Sequence, residues 1–244
     1  MANFKPLKNY LIELIDQMVS EYHAQGPFLD AGCGQGDIAE HFAAKEWSGQ
    51  AIDLSTTAVE QTKIRLKHYP HIIVQQKNIL EIDSMFNTVF LCDVLEHIPN
   101  DLEVLLKIRK NLNADGKVII SVPILKDEWR WDDNFYGHLR RYEIPEIIEL
   151  INTAGFKTLA IWDFTWPVFW LIRRVYTRII PQKIILENNE DKTIKSSHDS
   201  AWDQGILTKI FEKIIWWRPI FWLQKKLKNH LIGCEVVIIA EVKK

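Results

Sequence analysis

Short runs of apolar residues alternate along this chain with longer stretches in which apolar residues recur every three or four positions. The short runs predict β-strands, and the longer repeats predict amphipathic helices, the first of which spans roughly residues 7–19. Strands are predicted near 27–31, 49–53, 72–76, 87–92 and 117–122, and further helices near 37–45, 56–68, 99–112 and 143–154. This alternation predicts a parallel sheet with helices on both faces.

The pattern changes after the fifth strand. Residues 113–116 predict a helix stop and turn before that strand, and residues 157–163 and 234–242 predict two more strands. The connection between these last two strands, residues 164–233, is too long for a structureless loop in a compact domain. It predicts helices near 167–180 and 206–230, with a polar, mobile stretch at 188–199.

Composition narrows the class of protein. The chain has 244 residues, 47% of them hydrophobic and 25% charged, which suits one α/β domain, 1–244, with a helical insertion at 164–233. The net charge of −2 disfavours nucleic acid as a partner. Three isolated cysteines, the lack of a signal-peptide core and the lack of an 18-residue apolar run predict a reduced, cytoplasmic protein without a membrane span.

A glycine-rich loop follows the first predicted strand. Residues 30–36 read Asp-Ala-Gly-Cys-Gly-Gln-Gly, so glycines at Gly32, Gly34 and Gly36 let the backbone turn sharply and approach a ligand closely. The dinucleotide fingerprint needs its third glycine at position 37, where this chain has Asp37. The loop therefore predicts a nucleoside cofactor that lacks a diphosphate.

A carboxylate ends the second predicted strand. Asp53 lies seventeen residues beyond Gly36, and an ionised Asp can accept hydrogen bonds from both hydroxyls of a ribose. Together, the loop at 30–36 and Asp53 resemble the first motif and the ribose-binding acid of class I S-adenosylmethionine-dependent methyltransferases. The resemblance implies a Rossmann-like sheet of seven strands, in which an antiparallel last strand lies between the fifth and sixth.

The resemblance also implies S-adenosyl-L-methionine as the cofactor, with Asp30 supporting the loop and the methionine amino group. Cys33 is read as a small residue that fits the loop rather than as a nucleophile. Asn78 would contact the adenine edge, although an Asn after a strand also suits a turn. The cofactor-binding residues implied are Asp30, Gly32, Cys33, Gly34, Gly36, Asp53, Leu54, Asn78, Ile79, Cys92 and Asp93.

The segment after the fourth strand continues the resemblance. Residues 94–98, Val-Leu-Glu-His-Ile, are similar to the fourth motif of small-molecule methyltransferases, including the ubiquinone-pathway O-methyltransferases. Cys92 and Asp93 would then face the methionine end of the cofactor and its methyl group. His97 has two readings, as a general base or as a residue that fixes this loop.

The segment after the fifth strand carries the predicted acceptor site. Residues 137–142, Gly-His-Leu-Arg-Arg-Tyr, resemble a bacterial subgroup of the family. His138 is the preferred base, and Arg140 or Arg141 could bind a substrate carboxylate or phosphate, with Tyr142 beside them. The alternative is that this string is a structural clasp.

A metal site is not expected in this segment. Asp132 and Asp133 lie close to His138, but consecutive carboxylates in a strand or turn should point apart. A ligand set contributed by other loops is not evident either.

The insertion leaves two readings open. It holds six of the ten tryptophans and twelve Lys or Arg against six Asp or Glu, which is typical of helices at a membrane interface. The same residues suit a lid or a homodimer surface.

The chain is therefore predicted to methylate a small-molecule or lipid- or glycan-linked acceptor, at oxygen. N- or C-methylation and a non-catalytic membrane adaptor are the alternatives.

Overall fold

One seven-stranded sheet organises the protein. The computed structural model describes residues 5–179 and 214–243, and in this part the strand order is β3-β2-β1-β4-β5-β7-β6. Strand β7 is antiparallel to both of its neighbours, and the other pairs are parallel, as predicted. The strands are β1 Phe28–Ala31, β2 Gly49–Asp53, β3 Ile72–Gln76, β4 Phe86–Cys92, β5 Leu112–Pro123, β6 Phe156–Asp163 and β7 Glu235–Val242.

Eight helices accompany these strands in the described residues. They are α1 Pro6–Glu21, α2 Asp37–Ala43, α3 Thr56–Arg65, α4 Asp101–Lys110, α5 Trp131–Tyr136, α6 Ile144–Thr153, α7 Val168–Ile179 and α8 Ile214–Leu227. The predicted helices are confirmed within these bounds, whereas α5 was not predicted. The expected polar stretch at 188–199 and the predicted helical residues 206–213 lie outside the described residues.

The predicted turn at residues 113–116 is wrong. Strand β5 begins at Leu112, which pairs with Phe86, and pairing resumes where Lys117 faces Thr88. The four residues between these pairs form an irregular bulge in β5, opposite a single residue of β4. Gly116 and its polar neighbours read as a turn because a bulge requires the same residue types.

Strand residues alternate between two apolar cores. Phe28 and Phe90 pack with residues of α1 and α2 on one face, while Leu29 and Leu91 pack with residues of α4 and α6 on the other. Both faces are covered, as a largely parallel sheet requires. The carboxyl ends of β1, β2 and β4 consequently meet at one edge, where the strand order reverses and ligands usually bind.

The two described helices of the insertion pack on α1. Phe169 of α7 stacks on Trp217 of α8 with ring centroids 5.7 Å apart, and Phe221 lies 4.9 Å from Tyr10 of α1. Several insertion aromatics therefore contribute to the core. The description of the insertion as a unit within a single domain stays a prediction.

A buried ion cluster fastens α7 to α5. Arg173 donates to both oxygens of Asp132 at 2.7 Å and to Asp133 Oδ2 at 2.8 Å. The expectation that the two carboxylates point apart is wrong, because both lie in the first turn of α5 and face the same guanidinium. All three side chains are almost fully buried.

Replacing Arg173 should strongly destabilise the folded protein. Arg173→Met leaves two buried carboxylates without their shared cation, so we expect it to lower the free energy of unfolding by about 3–5 kcal/mol. Arg178→Met, at an exposed position of the same helix, should change it by less than about 0.5 kcal/mol. Urea unfolding followed by circular dichroism measures both, and equal losses would contradict the role of the cluster.

Candidate functional site

The glycine loop has the geometry that its sequence predicts. Gly32, Gly34 and Gly36 all have positive φ, at 76°, 54° and 75°. The amides of Gly32 and Cys33 both donate to the carbonyl of Ile52, which ties the loop to β2. A Cβ on Gly32 would lie 2.6 Å from a methyl group of Val94, so this turn has no room for a side chain.

Asp53 connects the glycine loop with the end of β2. Its Oδ2 accepts a hydrogen bond from the Gly34 amide at 2.9 Å, and its Oδ1 accepts one from the Ser55 amide at 2.8 Å. A carboxylate has about four acceptor positions, so further donors such as ribose hydroxyls can still bind. The adjacent Leu54 side chain is 66% exposed and can cover a ligand at this edge.

Acidic side chains surround a lysine at the same edge. Lys8 Nζ of α1 lies 3.9 Å from Asp93 Oδ2, and buried Asp30 accepts a hydrogen bond from the Ala39 amide at 3.1 Å. Burial would lower the pKa of Lys8, but Asp93 and other nearby acids raise it. Burial raises the pKa of Asp30 to about 7, against the opposing effect of Lys8. The negative potential here suits a cationic ligand, and Lys8 was missed because nothing in the pattern of α1 marks it.

The two cysteines of the predicted cofactor site are inert. Cys33 and Cys92 are buried, and burial raises the pKa of both thiols far above neutral pH. Cys33 Sγ lies 3.7 Å from Thr62 Oγ1, which itself donates to the Gly34 carbonyl. The reading of Cys33 as a small loop residue agrees with this environment.

Asn78 has the geometry of a turn residue. Its side-chain oxygen accepts a hydrogen bond from the Leu80 amide at 2.9 Å and caps a short 3₁₀ turn, Ile79–Glu81. The sequence left this turn role open as the alternative to contact with adenine. Its amide nitrogen can still donate to an adenine edge, so contact of Asn78 and Ile79 with the cofactor stays a prediction.

The two predicted catalytic histidines lie together on the acceptor side. The rings of His97 and His138 are edge-to-face with centroids 5.0 Å apart. His138 Nδ1 lies 2.8 Å from Asp133 Oδ1, and His97 Nδ1 lies 3.3 Å from the Gly137 carbonyl oxygen. Burial and the neighbouring His138 lower the pKa of His97 to about 4. His97 is therefore a neutral imidazole at neutral pH.

Asp133 orients His138, although sequence reasoning assigned it no such role. Burial alone would raise the pKa of Asp133, but the hydrogen bond with His138 and the charges of Arg141 and Arg173 lower it to about 2. The carboxylate is therefore ionised and can hold His138 with a proton on Nδ1, leaving Nε2 as the basic atom. The five-residue spacing of Asp133 and His138 was the available signal.

The remaining residues of this string are arranged as a clasp. Arg141 is buried and donates to Asp133 and to the carbonyls of Ile124 and Cys234. Arg140 and Tyr142 both donate to Asp101 Oδ2, at 2.7 and 2.8 Å. The donor groups of these side chains already bind other residues of the protein. That Arg140, Arg141 and Tyr142 bind substrate stays a prediction.

A small cavity of about 40 Å³ adjoins His138. Asp133, Tyr136, Phe169 and Glu235 are among its lining residues. Burial raises the pKa of Glu235 to about 7. Charged and aromatic side chains both line the cavity. Glu235 was not singled out by the sequence because it opens an apolar strand.

Comparison with known proteins agrees with this geometry. Residues 5–161 match the family model described as a methyltransferase domain. The ubiquinone biosynthesis O-methyltransferase of Rickettsia akari is 28% identical over 119 residues, which cover 46% of this chain and 46% of that protein. The chain thus spans about half the length of the curated relatives it matches.

Solved structures share the fold. The N-methyltransferase NodS of Bradyrhizobium japonicum, in complex with S-adenosyl-L-homocysteine, aligns with a TM-score of 0.58 at 12% identity and covers 98% of this chain and 89% of its own. The geranyl diphosphate C-methyltransferase of Streptomyces coelicolor aligns with the same TM-score at 13% identity and covers 94% and 77%.

The buried carboxylate of Asp30 should lower the stability of the folded protein at neutral and higher pH. Its pKa of about 7 means that between about pH 4 and 7 the folded state keeps a proton that the unfolded chain releases, so its contribution to stability falls as pH rises. Asp30→Asn should remove this fall and stabilise the protein at pH 8 by up to about 4 kcal/mol. Urea unfolding at pH 4.5 and 8 measures the difference.

The exposed Asp127→Asn serves as the matched control for Asp30→Asn. It should change stability little at either pH. An Asp30→Asn variant that is no more stable than the wild type at pH 8 would contradict the account of a buried, strained carboxylate.

Proposed function

We propose that this chain, which belongs to the class I S-adenosylmethionine-dependent methyltransferase family, methylates an oxygen atom of a small-molecule or lipid-linked acceptor. Its cofactor is S-adenosyl-L-methionine, which supplies a methyl group activated by the positive sulfonium sulfur. One observation carries the proposal: the amide of Gly34 and the carboxylate of Asp53 are joined at the edge where β1 and β2 end.

The residues of this edge fit the cofactor. Val94 and Thr62 pack so closely on the loop that Gly32 and Gly36 can carry no side chain, and Asp53 retains acceptor positions for ribose hydroxyls. Asp30 and Asp93 supply negative charge beside a cationic ligand. The buried neutral thiol of Cys92 offers no competing nucleophile, which favours transfer of the methyl group to the acceptor.

On the acceptor side, His138 would accept the proton of the attacking hydroxyl. Asp133 fixes the proton on Nδ1, so Nε2 is basic, and the ionised carboxylate stabilises the imidazolium that forms. Methyl transfer otherwise depends mainly on positioning and a dry site, which the buried cluster around Arg173 supports. The name of the Rickettsia akari relative favours oxygen over nitrogen or carbon.

A labelled-methyl transfer assay on host extract tests this function, with soluble and lipid fractions kept apart. Wild-type protein should label an acceptor, and Asp53→Ala should weaken S-adenosylhomocysteine binding by at least about tenfold, since it loses charge-assisted hydrogen bonds. Glu60→Gln, an exposed carboxylate on α3, should bind normally in calorimetry. If the wild-type protein binds no cofactor product, the non-catalytic adaptor alternative gains and the proposal fails.

The alternatives of N- and C-methylation differ in their need for a base. In the same assay, His138→Gln should lower turnover by about 10²-fold or more on an oxygen acceptor. Turnover that stays close to wild type would indicate an acceptor whose reacting atom needs no proton removed.

A specific observation favours a lipid-linked acceptor. Leu171, Val175 and Ile179 lie along one side of α7 and are 55%, 46% and 71% exposed, and Trp222 of α8 is 60% exposed. Lys226 lies over the Trp222 ring at 3.9 Å, which places a cation beside the aromatic group. No helix in the described parts of the chain is long and apolar enough to cross a membrane. The proposal is peripheral contact at the cytoplasmic face of a membrane.

Vesicle co-sedimentation tests the membrane contact. The protein should sediment with vesicles of anionic phospholipid at low ionic strength, and replacing Leu171 and Val175 by Ser should weaken binding about fivefold or more, through lost apolar burial of roughly 1 kcal/mol or more. Ile64→Ser, an exposed apolar residue on α3, should leave binding unchanged. Failure of the wild-type protein to sediment would favour a lid or dimer surface instead.

A further inference from the structure

Three carboxylates and two guanidinium groups line the small cavity on the acceptor side. Two of the carboxylates, Asp132 and Asp133, bind the two guanidinium groups of Arg141 and Arg173. The third carboxylate belongs to Glu235. In the part of the chain that the structure describes, its side chain has no ion pair or hydrogen bond. Glu235 is therefore the acid in the cavity wall that has no cation of its own.

Strand β7 positions Glu235 at the edge of the sheet where the acceptor must lie. Because β7 is antiparallel to β5, its first residue, Glu235, pairs with Pro123, the last residue of β5. The Glu235 amide donates to Thr165 Oγ1 at 3.3 Å, and its carbonyl oxygen accepts from the Phe164 amide at 3.4 Å. These bonds fix the backbone from which the Glu235 side chain extends.

A second acid on this side also lacks a positive partner. Glu96 is 1% exposed, and its Oε2 has no hydrogen-bond partner among the described residues. Burial and the charge of Asp93 raise the pKa of Glu96 well above its usual value, and they raise the pKa of Glu235 to about 7. Arg141 and Arg173 oppose the rise at Glu235 without reversing it. A cationic group would therefore be stabilised on this side of the site.

The size and the lining of the cavity favour a small cationic group. Its volume of about 40 Å³ accommodates only a few water-sized groups, so it can take the end of a ligand but not a whole molecule. The aromatic side chains of Tyr136 and Phe169 also line it. Aromatic ring faces attract cations, and a carboxylate beside them adds a charge-assisted hydrogen bond. This combination suits an ammonium group.

We propose that Glu235 binds a protonated amino group of the acceptor, so that the substrate is an amine that also carries a hydroxyl group. The inference rests on the proposed function for transfer to oxygen and adds the chemical class of the acceptor. The ion pair would hold the acceptor with its hydroxyl beside His138, which lines the same cavity. A protonated nitrogen has no free lone pair, so it cannot take the methyl group, and transfer is directed to oxygen.

Binding of a small amine to the full chain tests the site without turnover. The probe is n-propylammonium, 1-propanol is its neutral analogue, and saturation-transfer NMR with and without S-adenosylhomocysteine detects binding. Wild type should bind the probe and not the alcohol. Glu235→Gln should weaken binding of the probe by at least about tenfold, because a close charge pair is lost.

Glu241→Gln is the matched control. Glu241 lies on the same strand, 3.6 Å from Lys157 in a pair that is open to solvent. This variant should bind the probe like wild type, and circular dichroism checks that both variants fold.

The chemistry of the natural acceptor gives a second readout. The acetyl ester of N-hydroxysuccinimide converts amines in the host extract into neutral amides. In the labelled-methyl assay, wild type should label the acetylated extract at least about tenfold less than the untreated extract. Glu235→Gln should raise the KM for the acceptor by a similar factor, with a smaller change in kcat.

Three results would overturn the assignment of Glu235: no binding of propylammonium by wild type, equal binding by Glu235→Gln, or equal labelling of the two extracts. Equal labelling would mean that the enzyme methylates an acceptor without an amine, which leaves the proposed function intact. Failure of the proposed function has a different signature, because S-adenosylhomocysteine then does not bind although propylammonium does.

Discussion

The hydrogen bond from the Gly34 amide to the Asp53 carboxylate links the two parts of the cofactor site. It joins a loop of residues with positive φ to the end of the neighbouring strand, and Asp53 holds the Ser55 amide with its other oxygen. The parallel register of β1 and β2 brings the loop and Asp53 close together, since it aligns Asp30 with Ala51 and so ends both strands at the same edge. The conformation of the glycine loop and the position of the Asp53 carboxylate therefore depend on each other.

Charge is distributed differently on the two sides of the loop after β4. Toward the glycine loop, Asp30 and Asp93 make an environment for a cation, and Lys8 lies within it. Toward the acceptor, buried Asp133 is ionised while His97 is neutral. Val94, in the loop after β4, packs closely against Gly32 of the glycine loop. Methyl transfer needs such an arrangement, because the methyl group must pass from a positive sulfur to an electron-rich atom.

Sequence reasoning predicted the parts of the molecule that local chemistry determines. The glycine spacing, the apolar strands and the acid at Asp53 each carry a signal within a few residues, and the family match and the sheet confirm the family and the fold they indicated. The bulge at residues 113–116 was read as a turn because both structures use the same residue types. The helix bounds in the insertion could be predicted for α7 because its apolar repeat is strong.

Contacts between distant segments could not be predicted in this way. Asp132 and Asp133 both face Arg173, which lies about forty residues away on another helix, and no local pattern shows that partnership. Glu96 looked like one residue of a motif until the fold placed it beside His138. The occupied donors of Arg141 likewise became visible only when Ile124 and Cys234 were seen to surround it.

A crystal structure of the protein with S-adenosylhomocysteine tests the central claim most directly. The account predicts that both ribose hydroxyls lie within hydrogen-bond distance, about 2.5–3.0 Å, of the Asp53 carboxylate, with the glycine loop against the ligand. A ribose bound away from Asp53 would contradict this account. So would a glycine loop that α1 and Lys8 keep closed to the ligand when the ligand is saturating.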